Sequence, residues 1–108
     1  MAFGFPAYHN EQLKHHLTKE LAESIAKKAL LNLGFTELGI HDKAIDFKTQ
    51  GTAMALAERI LIYVGKTEIR VHSECLNPAQ FLDFGKNKKN VEKVLEEFFR
   101  LVEEEKKN

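Results

Sequence analysis

The chain has 108 residues, 44 % of them apolar and 30 % charged, which is enough for one hydrophobic core and too little for two. Sixteen Lys and Arg balance sixteen Asp and Glu, so no net field draws in nucleic acid or an acidic membrane and any electrostatic attraction has to be local. The lone cysteine, Cys75, excludes an internal disulfide and suits a reducing compartment.

No apolar run approaches the ~20 residues needed to cross a bilayer. The opening residues 1–8 lack the basic start and the apolar stretch of a signal peptide. The expectation is one cytoplasmic domain over 1–108, with an N-terminal arm over 1–9 that tucks Phe3, Phe5 and Tyr8 onto the body.

Over 10–33 the spacing predicts a helix. Leu13, Leu17, Leu21, Ile25 and Ala29 form a four-residue row beside Ala22 and Ala26, with Asn10 able to cap the first turn. Leu30, Leu31 and Leu33 then point in widely separated directions, so the last turn is either buried on several sides or touches a partner. Gly34 stands where a left-handed stop is expected, followed by Phe35 as its apolar companion.

After Gly34 the period changes to two. Leu38 and Ile40 alternate with Glu37 and His41, and Ile45 and Phe47 alternate with Asp46 and Lys48, so two strands form a hairpin around the turn-like 41–43. A third strand runs over 56–64 to the turn at Gly65 and Lys66. A fourth follows, with Ile69, Val71, Ser73 and Cys75 on one side and Glu68, Arg70, His72 and Glu74 on the other. Asn77 and Pro78 end it. From about Lys86 a broad stripe of Val91, Val94, Leu95, Phe98, Leu101 and Val102 marks the last helix, and 103–108 frays into solvent.

The predicted fold is therefore α+β in the order α-β-β-β-β-α, a four-stranded antiparallel meander with both helices on one face. Its open face carries Glu37, His41, Asp46, Lys48, Arg59, Glu68, Arg70, His72 and Glu74, with Leu61 and Tyr63 exposed among them.

Reaction machinery is hard to find. His15 and His16 diverge by ~100° on a helix, no zinc or calcium spacing occurs, and neither a metal nor a cofactor is expected. His9, His15 and His16 are placed at the surface. Cys75 and His72 lie three apart on a strand and point to opposite faces, so Cys75 reads as a small buried hydrophobe. Ser24 and Ser73 lack the strained turn of a serine nucleophile.

Lysines gather at the last helix start. Between 86 and 93 stand Lys86, Lys88, Lys89 and Lys93 against Glu92 alone, where free backbone donors and the helix dipole favour an anion. The same residues also serve a plain helix start, with Lys88 to Glu92 and Lys93 to Glu97 at four-residue spacing and Asn87 or Asn90 as caps. No phosphate-binding Gly-Lys-Ser/Thr loop is present. Phe81, Leu82 and Phe84 precede this start and read as a cap on the end of the core.

From Leu82 to Val94 the sequence Leu-Asp-Phe-Gly-Lys-Asn-Lys-Lys-Asn-Val-Glu-Lys-Val resembles a group of small uncharacterised bacterial α+β domains. Those combine a leading helix and a Leu-Gly-aromatic opening, here Leu33-Gly34-Phe35, with a strand bearing Ser-x-Cys, here Ser73 to Cys75, and an Asp-aromatic-Gly-Lys-Asn-x-x-Asn helix start, here Asp83 to Asn90. This chain has Leu56, Ala57 and Glu58 where the group has Trp-Gly-Glu, and Phe84 where it has Trp. The resemblance implies a fold and brings no activity or site residue with it.

The function expected from these readings is a non-catalytic domain that binds a protein partner or assembles with itself, through Leu61, Tyr63, Phe81 and Phe84. The alternative is an anion, phosphate or lipid-headgroup binder at 85–89, with Lys86, Lys88, Lys89 and Lys93 as its cations. Neither nucleic acid nor peripheral membrane contact is expected.

Overall fold

The computed structural model describes residues 8–50, 57–75 and 86–107. Its elements are β1 (Tyr8–Lys14), α1 (Lys19–Asn32), β2 (Thr36–His41), β3 (Ala44–Lys48), β4 (Glu58–Val64), β5 (Glu68–Cys75) and α2 (Lys86–Lys106). The strands form a five-stranded sheet in the order β1-β5-β4-β3-β2, antiparallel at every step. The described residues thus form an α+β fold with two helices, and with five strands where four were expected.

The additional strand is β1, which occupies the first part of the predicted helix. It pairs with β5 from Tyr8 opposite Glu74 to Lys14 opposite Glu68. Leu13, Leu17 and Leu21 keep helical spacing across the true boundary, while β1 itself is an edge strand with polar residues on both sides and offers no two-residue apolar signal. Tyr8 and His9 belong to this strand rather than to an arm, whose remaining residues lie outside the described ones.

The bend between β1 and α1 is organised by His15, which is 3 % exposed rather than at the surface. Its backbone N–H donates to Thr67 O at 2.9 Å, and its ring takes the Leu17 N–H on Nδ1 at 3.2 Å. Because Nδ1 accepts, Nε2 carries the proton and donates it to Gly65 O at 2.9 Å. Thr18 then caps α1, its hydroxyl accepting the Leu21 N–H at 3.2 Å, in place of the expected Asn10.

The far end of α1 closes as the sequence implied. Gly34 has φ +81, Phe35 N–H donates to Leu30 O at 3.1 Å and Gly34 N–H to Leu31 O at 3.0 Å, a Schellman closure. Asp42 and Lys43 turn the β2–β3 hairpin with φ 49 and 68, the two positive values that a type I′ turn requires. A bulge between Glu37 and Gly39 shifts the β2 register. It carries Glu37 round to Lys27 of α1, 2.9 Å away, instead of leaving it on the open face.

One buried cluster joins Ile25, Ala26 and Leu30 of α1, the Val91, Val94 and Phe98 stripe of α2, and the strand residues Ile45, Phe47, Ile60, Ile62, Ile69 and Val71. α1 lies against β4 and β2, α2 lies against β5 and β1, and the helices touch each other. Each fully buried aliphatic or aromatic side chain contributes about 1.5–3 kcal/mol. The last helix runs on to Lys106, with Arg100 bonded to Glu97 and Glu104, so 103–106 are helical rather than frayed.

The sheet's second face is also less open than expected. Leu61 is only 8 % exposed, because on the middle strand it lies directly between Asp46 of β3 and His72 of β5. Arg59 holds Asp46 through two hydrogen bonds of 3.0 and 2.6 Å, and the Arg70 guanidinium covers the Tyr63 ring at 4.3 Å. Tyr8 stacks beside His72.

Candidate functional site

Glu58, Ser73 and Cys75 continue, at one end of the sheet, the inward alternation that Ile60, Ile62, Ile69 and Val71 begin. α2 begins above the same end, and Asn87 and Asn90 extend its Val91 and Val94 stripe by three- and four-residue steps. At this end the core therefore changes from apolar to polar, and the polar side chains meet one another.

Glu58, 2 % exposed, is the centre of this cluster. Its Oε1 accepts from Asn90 Nδ2 at 3.0 Å and from the Thr49 hydroxyl at 3.3 Å. The two backbones are locked as well, with Thr49 N–H donating to Glu58 O at 2.9 Å and Glu58 N–H donating to Thr49 Oγ1 at 2.8 Å. Asn90 Nδ2 also reaches Ser73 Oγ at 3.3 Å, and the Ser73 hydroxyl donates to Asn87 Oδ1 at 2.6 Å. Asn87 Nδ2 lies 3.5 Å from Cys75 Sγ.

The second carboxylate oxygen is treated differently. Glu58 Oε2 is 3.2 Å from Lys86 Nζ, a contact of opposite charges, yet it is buried and accepts no hydrogen bond. Lys86 therefore points inward rather than joining a free cationic cluster. Lys88, Lys89 and Lys93 are exposed. Glu97, expected to pair with Lys93, instead takes hydrogen bonds from Arg100 and from Asn32, which hold its carboxyl down to about 2.

Beside Glu58 lies an open cavity of about 220 Å³ between α2 and the turn after α1, lined by Thr49, Gln50, Glu58, Lys86, Asn90 and Lys93 with the Leu33 to Phe35 turn. Cys75 meets the Asn87 amide, while His72 projects from the other face beside Glu74. Among the described residues no group of three or more His, Cys, Asp or Glu side chains could hold a metal ion. No described helix is long and apolar enough to cross a membrane.

A second surface runs along the outer flank of β2. The α1 row Lys19, Glu23, Lys27 and Leu31 faces it, with Lys19 and Glu23 3.8 Å apart and Lys27 on Glu37. Below lies an apolar groove of about 200 Å³ floored by Ile45, Ile62 and Val64, and Ile40 at its rim is 75 % exposed. Leu31 of α1 and Leu38 of β2 are also exposed.

Of the residues expected to form a partner surface, Leu61 is buried and Tyr63 half-covered, while Phe81 and Phe84 lie outside the described residues. Leu30 is buried and Leu31 is not. Glu58, Thr49 and the inward role of Asn87 and Asn90 were not among the expected site residues. The signal was present, since both asparagines sit in register with Val91 and Val94. Comparison of the chain with protein-family models, with curated proteins and with solved structures found no match.

Proposed function

We propose that this chain is a non-catalytic assembly domain that pairs with a second copy of itself along the outer edge of β2. The observation that carries this reading is Ile40, an exposed branched aliphatic side chain on a strand that, among the described residues, has β3 as its single neighbour. Such an edge presents unpaired N–H and C=O groups that pair readily with another strand.

The sequence of β2 is self-complementary. Antiparallel pairing of two copies about Gly39 sets Leu38 opposite Ile40 of the second copy and Glu37 opposite its His41. An apolar pair is then flanked by an acid and a base, and one continuous sheet runs through both copies. The groove beside Ile40 supplies apolar area close to the junction.

Sedimentation velocity over micromolar concentrations tests this. The wild-type chain sediments as a dimer at the upper end and Ile40→Lys as a monomer with unchanged circular dichroism. A wild-type chain that stays monomeric throughout contradicts the reading. A second reading, anion binding at the start of α2, retains the exposed Lys88, Lys89 and Lys93 but loses Lys86 to Glu58.

A further inference from the structure

We propose that the cavity between α2 and the turn after α1 binds a small zwitterion, an amino acid or a molecule with the same pair of charges. It is a site separate from the β2 edge and does not depend on self-assembly.

Glu58 lines this cavity. A carboxylate this deeply buried needs a compensating charge, and removing its partner is strongly unfavourable. Oε1 is committed to Asn90 and Thr49, whereas Oε2 accepts no hydrogen bond and meets the Lys86 ammonium at 3.2 Å. The Lys86 side chain is 40 % exposed and lines the cavity together with Glu58. Lys93, two helical turns on and exposed, contributes a second cation to the same wall.

A simple anion would attract Lys86 and Lys93, but drawing Lys86 off Glu58 would strand the buried carboxylate. A simple cation would have to displace Lys86 from Glu58 and would bring no negative charge to receive it. A ligand with both charges avoids both costs, because its ammonium replaces Lys86 on Glu58 Oε2 and donates the missing hydrogen bond, while its carboxylate receives Lys86 and Lys93. The cavity volume, about 220 Å³, falls below the roughly 300–1,000 Å³ of drug-sized sites and suits a molecule of amino-acid size.

The test is amide-shift NMR on the ¹⁵N-labelled full chain in phosphate-free buffer, titrated separately with glycine, acetate, methylammonium and inorganic phosphate. Glycine is expected to give saturable shifts at Gly34, Gln50 and Asn90, with each singly charged probe at least about tenfold weaker. Lys93→Ala, a surface change that leaves the thermal midpoint in place, should weaken glycine several-fold. Glycine that leaves those amides unmoved, or phosphate or acetate that matches it, overturns the proposal.

Discussion

Asn90 Nδ2 donates to Glu58 Oε1 across 3.0 Å, joining the second turn of α2 to the first residue of β4. The same amide reaches Ser73 Oγ on β5, so a single side chain fixes the helix over two strands. Asn90→Leu removes that donor from a buried carboxylate and should lower stability by about 2–4 kcal/mol. Ser73→Ala, which removes one neutral hydroxyl, should cost about 1–2 kcal/mol. Urea unfolding followed by circular dichroism measures both, and equal small losses would mean that the cluster does not hold α2.

His15 does a similar job at the other end of the sheet, where its ring links the β4–β5 turn to the start of α1. His15→Ala leaves the Gly65 carbonyl and the Leu17 amide without this partner and should lower the thermal midpoint by about 4–8 °C for each kcal/mol lost. His16→Ala, at an exposed neighbour, serves as the control and should leave the midpoint within error.

The β2–β3 turn can be improved. Asp42 and Lys43 both adopt positive φ, a region that favours Asn and Gly over Lys. The double substitution Asp42→Asn with Lys43→Gly supplies the Asn-Gly pair that a type I′ turn prefers and should stabilise the chain by about 0.5–1 kcal/mol. A loss of stability in the same unfolding assay would show that the turn is not of this type.

Acid should weaken the contact between the two helices. The Arg100 hydrogen bonds, and then that of Asn32, lower the Glu97 carboxyl from 4.5 to about 2. A group whose folded value is depressed adds stability above its unfolded value, and that stability fades as pH falls from 4.5 towards 2. The stability difference between wild type and Glu97→Gln should therefore be present near about pH 6 and shrink over that interval. A difference that stays constant with pH would contradict the assignment.

The parts of the fold that the sequence revealed are those with one dominant local cause. The α2 stripe, the Gly34 stop and the alternation of β5 each follow from helical or strand periodicity alone. β1 stayed hidden because Tyr8–Lys14 is held by backbone pairing with β5, and its polar side chains leave no trace of that pairing. The site was half legible. Ser73 and Cys75 were placed inward, but Glu58 drew no role because nothing in its immediate neighbours reveals an asparagine arriving from residue 90. The contact of Lys86 with Glu58 was not legible for the same reason, since the two lie in different elements.

Self-pairing along β2 is tested most directly by isotope-filtered NOE measurements on an equal mixture of ¹³C-labelled and unlabelled protein. Antiparallel pairing about Gly39 predicts intermolecular contacts between the methyl groups of Leu38 in one copy and Ile40 in the other, lost in Ile40→Lys. A concentrated sample that yields no intermolecular contact at either residue would contradict it.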